Sequence, residues 1–310
     1  MEQTLRDMLA DIRQRQLANP SATLEDIRAA YRDGYLARGP ALVENIRIER
    51  IPLPGTTAAV SIYTPPNAVA DKLVVYFHGG GYVLGDTQTY DRQSRWIAHE
   101  TGHRLAFVDY RLGPEHRFPC APDDAAIAWD WLVDVHGMQP QNIVVSGDSA
   151  GGGLAVVTCL HAARKLQTPR AAVLLYPATD LRLPDRADWQ GSMKAYATDH
   201  YLEAEEMYWF CDQYLTGESD SLDWRASMIL APDLHLMPPT WIFGARMDPI
   251  YDQGTAFART LAERGVDVVH HGFAGVLHNF MEHVAVSNAA TQAAQLYIDR
   301  LRAVLGGGER

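Results

Sequence analysis

Cysteine is scarce. The 310-residue chain has three, Cys120, Cys159 and Cys211, and their separations match neither metal-ligand nor redox spacings. An odd number of widely separated thiols suits a reducing compartment better than a disulfide scaffold. Cys159, inside an apolar helical stretch, reads as a small core residue. Positive charge is also in deficit: 27 Lys and Arg against 38 Asp and Glu leave a net charge of −11. With no basic patch to override it, that balance excludes nucleic acid and anionic membrane surfaces as partners. No apolar run approaches the roughly 20 residues needed to cross a bilayer. Glu2, Arg6, Asp7 and Asp11 stand where a signal peptide would need an apolar core, so a cytoplasmic location is expected. Internal repeats and low-complexity segments are absent.

What remains is an ordinary globular composition, 47% hydrophobic and 21% charged. A chain of this length buries a sizeable core without metal or disulfide staples. Its first forty or so residues read as two helices. Leu5, Met8, Leu9 and Ile12 share one face, Pro20-Ser21 breaks the pattern, and Thr23 is placed to cap a second helix presenting Leu24, Ile27 and Tyr31. From Ile46 the texture becomes strand-like. Ile46 and Ile48 alternate with charged residues, and Val60–Tyr63 follows a Pro54-Gly55 turn. Apolar runs then recur at Leu73–Phe77, Leu105–Val108, Ile143–Val145, Ala172–Leu175, Trp241–Phe243 and Val266–Val269. Helical stretches such as Ala125–Val135 and Gly254–Glu263 separate them, and a final helix at about Ala289–Val304 leads into a Gly306-Gly307-Gly308 tail expected to fray. This alternation predicts an α/β fold with a mostly parallel sheet flanked by helices. Residues 182 to about 225 break it with aromatic-rich, partly helical sequence. The expected organisation is a helical cap segment at 1–45 and a catalytic domain at 46–310 with a cap insertion at about 182–225.

Chemistry concentrates at Gly147-Asp148-Ser149-Ala150-Gly151, directly after one buried run and before a helix. G-x-S-x-G in a strand–turn–helix setting is the nucleophile-elbow pattern: the glycines permit a tight turn, and the serine sits at a helix N-terminus. Upstream, His78-Gly79-Gly80-Gly81 follows Leu73–Phe77, and consecutive glycines let backbone N–H groups face a site unobstructed. With the Ala150 N–H they can stabilise an oxyanion. An acid and a base are expected downstream in that order. Asp248, a few residues beyond Trp241–Phe243, is preferred as the acid over Asp252, which is more simply an N-cap. Of three histidines, His270 and His271 lie in or just after a strand, whereas His278 follows Gly275-Val276-Leu277 in an expected loop and is preferred as the base. The His270-His271 pair lacks partners at metal-ligand spacing.

At these motifs the sequence resembles the bacterial hormone-sensitive-lipase family of esterases, in the branch with Gly-Asp-Ser-Ala-Gly at the elbow. The resemblance extends to Asp109-Tyr110-Arg111-Leu112-Gly113-Pro114-Glu115, to Asp248-Pro249-Ile250-Tyr251-Asp252 and to Gly275-Val276-Leu277-His278-Asn279-Phe280. It implies an α/β-hydrolase fold with a helical cap, a Ser149, His278 and Asp248 triad, and an oxyanion hole from Gly80, Gly81 and Ala150. Asp148 and the segment from Tyr110 to Glu115 are implied braces. Asn279 departs from the family pattern, which has Gly there. The Gly244–Pro249 string and Leu277-His278 look most like acetyl-esterase-like members. The reading is therefore hydrolysis of short-chain acyl esters through an acyl-enzyme, using an ester and water and no cofactor or metal. Amide or carbamate hydrolysis by the same residues is an alternative, and a non-catalytic receptor on this fold is a lesser one. A homodimer is left open.

Overall fold

The computed structural model describes residues 1–306. Its frame is an eight-stranded sheet in the order β1-β2-β4-β3-β5-β6-β7-β8. The strands are β1 (Arg47–Pro52), β2 (Ala59–Thr64), β3 (Val69–Phe77), β4 (His103–Asp109), β5 (Ile143–Asp148), β6 (Ala171–Leu175), β7 (Thr240–Met247) and β8 (Val268–Leu277). β2 is antiparallel to both of its neighbours, and the six strands from β4 to β8 in the sheet order are parallel. Every residue of β5 and β6 is buried. Helices cover both faces of these strands, so neither face alternates with polar residues.

The helices are α1 (Gln3–Ala18), α2 (Leu24–Arg38), α3 (Asp91–Thr101), α4 (Cys120–Asp130), α5 (Ala150–Arg164), α6 (Gly191–Ala195), α7 (Ala204–Tyr214), α8 (Tyr251–Glu263) and α9 (Asn288–Gly306). On one face of the sheet, Trp129 of α4, Leu154 of α5 and Phe257 of α8 join a single core. On the other, Ile97 of α3 and Tyr297 and Leu301 of α9 form a second. Cys159 is fully buried in the first. Thr23 caps α2 as its sequence suggests: its Oγ1 accepts from Asp26 N–H at 3.2 Å, and Asp26 Oδ2 accepts from Thr23 N–H at 2.8 Å. Between β6 and β7 the chain forms α6, α7 and short turns without a strand.

Three details differ from expectation. The last strand begins at Val268 and runs ten residues to Leu277, so Gly275–Leu277 is strand rather than loop. Pairing with β7 supplies hydrogen bonds that a local sequence pattern cannot reveal. Asp252 does not cap its own helix, whose N-cap is Ile250; its carboxylate accepts from Ser192 N–H at 2.8 Å, in the first turn of α6. The α-helix expected over Ala125–Val135 starts at Cys120 and finishes in a π-helical turn at Trp131–Val135. Gly307 and Gly308 of the expected glycine tail lie outside the described residues. Among the described residues no helix is long and apolar enough to cross a membrane.

Candidate active site

The chain leaves β3 for β4 on one side of the sheet and returns to β5 on the other, so β3 and β5 are neighbours at a topological switch point. Crevices form beyond the carboxyl ends of strands at such points. Ser149 stands there, between β5 and α5, with φ of 51° and ψ of −120°. This is a strained conformation for a residue with a side chain. Its backbone is held on both sides: Ser149 N–H donates to Leu175 O at 2.9 Å, and its carbonyl accepts from Gly152 and Ala178 N–H at 3.0 Å each. The elbow also explains the glycines. A Cβ at Gly151 would collide with the carbonyl oxygens of Phe77 and His78, because α5 starts against the end of β3.

Asp248 and His278 arrive through register. Parallel β7 and β8 pair Met247 with Leu277, so the residues that follow each of them emerge side by side. His278 Nδ1 is 2.6 Å from Asp248 Oδ2, and His278 Nε2 is 2.9 Å from Ser149 Oγ. Asp248 is fully buried and its other oxygen accepts from Ile250 N–H at 2.9 Å, which fixes the carboxylate. A carboxylate opposite Nδ1 favours the tautomer protonated there, leaving Nε2 to accept from the serine hydroxyl. The Tyr176 ring lies edge-on to the imidazole at 4.9 Å between centroids. His270 and His271 stay within β8: His270 packs against Tyr251, and His271 is exposed beside Phe273. Among the described residues, no group of three or more His, Cys, Asp or Glu is arranged to hold a metal ion.

The loop after β3 carries Gly80 at φ of 97° and Gly81 at φ of 61°. Among the described residues, neither of their N–H groups donates a hydrogen bond, and both glycines line the same cavity as Ser149, Ala150 and His278. Asp148 braces this loop. Its Oδ1 accepts from Gly79 N–H at 3.0 Å and Tyr76 OH at 2.8 Å, and its Oδ2 accepts from Tyr90 OH at 3.1 Å. Burial nevertheless pushes its carboxyl up to about 6, since these donors offset only part of the desolvation. Tyr110 OH donates to His78 O at 2.7 Å, and Arg28 of α2 pairs with Glu115 at 2.7 Å.

The cavity measures about 870 Å³. Besides the residues above, α1, α2, α7 and the turn before α7 line it, with Ile12, Tyr31, Leu202, Met207, Phe210 and Tyr214 among them. Phe210 crowds the glycine loop: a Cβ at Gly81 would stand 2.7 Å from Phe210 Cε1 and closer to two other ring atoms. Asp11, Arg15, Asp26, Asp33, Arg38 and Glu206 add charge to the lining, and burial raises the Glu206 carboxyl to about 7. Sequence spacing does not single out Glu206, or Tyr35, Tyr90, Tyr176 and Glu282 around His278. Tyr35 and Tyr176 meet Asn279 across 244 and 103 positions, and Tyr90 meets Asp148 across 58.

Sheet, switch point and elbow define an α/β-hydrolase, and comparison with known proteins agrees. A family model described as alpha/beta hydrolase fold matches residues 74–282. An ethyl acetate hydrolase of Pseudomonas putida is 37% identical over 80% of this chain and 79% of its own. A carboxylic ester hydrolase of Mycobacterium tuberculosis is 32% identical over 86% and 72%. The solved structure of a Pyrobaculum calidifontis esterase superposes with a TM-score of 0.85 at 31% identity, covering 99% of both chains. The chain belongs to the α/β-hydrolase family, in its hormone-sensitive-lipase-like branch. It is an enzyme of the carboxylic ester hydrolase class.

Proposed function

We propose that this esterase hydrolyses short-chain acyl esters, with Ser149 as nucleophile, His278 as general base and acid, and Asp248 as its orienting partner. The observation that carries the reading is the unbroken relay from Asp248 through His278 to Ser149, with steps of 2.6 and 2.9 Å. His278 takes the hydroxyl proton as Ser149 attacks the carbonyl carbon, and the N–H groups of Gly80, Gly81 and Ala150 receive the developing oxyanion. His278 then protonates the leaving alcohol, and water repeats the sequence to free the acid. Asp248 stabilises the imidazolium without taking its proton.

The preference for short acyl chains is supported by Phe210, whose ring closes the cavity against the glycine loop. The similarity to a protein named for ethyl acetate points the same way. On this reading, segments 1–45 and about 182–225 form the cap, since residues of both line the cavity over Ser149. A series of p-nitrophenyl esters tests the proposal. Ser149→Ala is expected to lose turnover by a factor of at least about 10³, and the wild type to be fastest on acetate or butyrate. A maximum at long acyl chains refutes the chain-length assignment, and turnover retained by Ser149→Ala refutes the nucleophile.

A further inference from the structure

The residue after His278 carries more structure than its backbone requires. Asn279 takes the left-handed conformation, with φ of 63° and ψ of 33°, and is 3% exposed. Glycine adopts that conformation freely and asparagine tolerates it, so the backbone alone does not call for an amide. Yet the amide is fully engaged. Its Oδ1 accepts from Tyr35 OH at 2.7 Å and from Tyr176 OH at 3.3 Å. Its Nδ2 donates to Glu282 Oε2 at 3.0 Å and lies 3.4 Å from Tyr201 OH. Two lone pairs and two N–H bonds are all a primary amide has, and the Glu282 carboxylate, which accepts only, fixes which end is nitrogen.

These partners come from separate parts of the chain. Tyr35 lies on α2, and Tyr201 belongs to the segment between β6 and β7. Glu282 is fully buried and takes its other bonds from Arg38, at the end of α2, and from Tyr201. The two segments that roof the cavity therefore meet at the side chain covalently next to the imidazole. The ring of Tyr176, a donor to the same amide, also packs edge-on against His278.

We propose that Asn279 is a positioning residue that couples the roof of the cavity to the placement of His278. The proposal rests on the reading of His278 as the catalytic base. With the roof seated, Tyr35 and Glu282 hold the amide, the amide holds the turn, and Nε2 stays aimed at Ser149. When α2 or the 182–225 segment shifts, the same bonds release the turn. Misplacement of a reacting group by about 1 Å can cost two orders of magnitude in rate, so a modest loosening here is visible in kcat.

Asn279→Gly tests this, because it deletes the amide and keeps the left-handed backbone. Tyr35→Phe removes one donor to the amide from the other side. Rates on p-nitrophenyl acetate are normalised to the fraction of chains whose serine is labelled by a fluorophosphonate, so misfolded protein does not count. Asn279→Gly is expected to lower kcat about tenfold with KM within twofold, and Tyr35→Phe to lower it less. The double variant is expected to be no slower than Asn279→Gly alone, since both act through one bond. Wild-type normalised kcat in Asn279→Gly, or additive losses in the double variant, overturns the coupling. Ser149→Ala, assayed alongside, separates the two levels. If it is inactive, a failure concerns Asn279 only; if it still turns over, the reading of the whole site falls and this proposal with it.

Discussion

At the scale of single residues, the site combines a strained serine, a register-matched Asp–His pair and a buried brace, Asp148, whose ionisation opposes folding. Its carboxyl is raised from an ordinary 3.8 to about 6 by desolvation. A group raised in the folded state contributes stability that is fully present below its unfolded pKa and is lost as pH rises through the folded one. Asp148 thus favours folding below about pH 4 and withdraws that contribution as pH passes 6. Asn imitates the protonated carboxyl, with an oxygen that accepts from Gly79 and Tyr76 and an N–H₂ that donates to Tyr90 OH once that hydroxyl turns its own proton toward Tyr31. Asp148→Asn is therefore expected to gain on the wild type by on the order of 3 kcal/mol between pH 4 and pH 7.5. Urea unfolding at the two pH values measures this, and parallel slopes for both proteins would contradict it.

At the scale of elements, α2 links the cavity roof to the body of the enzyme. It contributes Tyr31 to the cavity, Tyr35 to Asn279, Arg28 to Glu115 and Arg38 to Glu282. The reciprocal bonds between Thr23 and Asp26 satisfy donors at its first turn that would otherwise have only water. Thr23→Ala is expected to cost about 1 kcal/mol, seen as a lowered midpoint in thermal unfolding. An unchanged midpoint would mean that packing alone sets the start of α2. This cap was legible in the sequence because both partners lie within one turn. The role of Asp252 was not: its acceptor oxygen serves Ser192, sixty positions away.

At the scale of the molecule, the bond from Arg38 to Glu282 ties the N-terminal helices to the end of the sheet that carries His278. Glu282 is fully buried, and burial raises its carboxyl while Arg38, Tyr201 and Asn279 hold it down. Removing one partner of such a pair leaves an uncompensated charge. Arg38→Met is expected to destabilise the fold by about 3–5 kcal/mol, and Glu282→Gln in the same chain to restore part of the loss. Chemical denaturation of the wild type and both variants checks it, and equal stability of the single and double variants would remove Arg38 as the compensating charge.

Local pattern was enough to identify the strands from Leu73–Phe77 to Trp241–Phe243, the Thr23 cap of α2, the elbow around Ser149 and the glycine loop before it. Each is a short-range consequence of apolar run length, glycine conformational freedom or helix-end hydrogen bonding. The local pattern also set Asp248 and His278 apart from their neighbours, and His278 does lie in a turn, but the strand before that turn is what brings it beside Asp248. The extra length of β8 and the pairing of Met247 with Leu277 bring those two side chains together, and that register depends on hydrogen bonds between strands. The contact between Tyr35 and Asn279 joins residues 244 positions apart. The sequence by itself thus determined the elements and the residue types of the site. Only the tertiary structure decided which side chains meet, because meeting depends on strand order and register, to which no local stretch of chain responds.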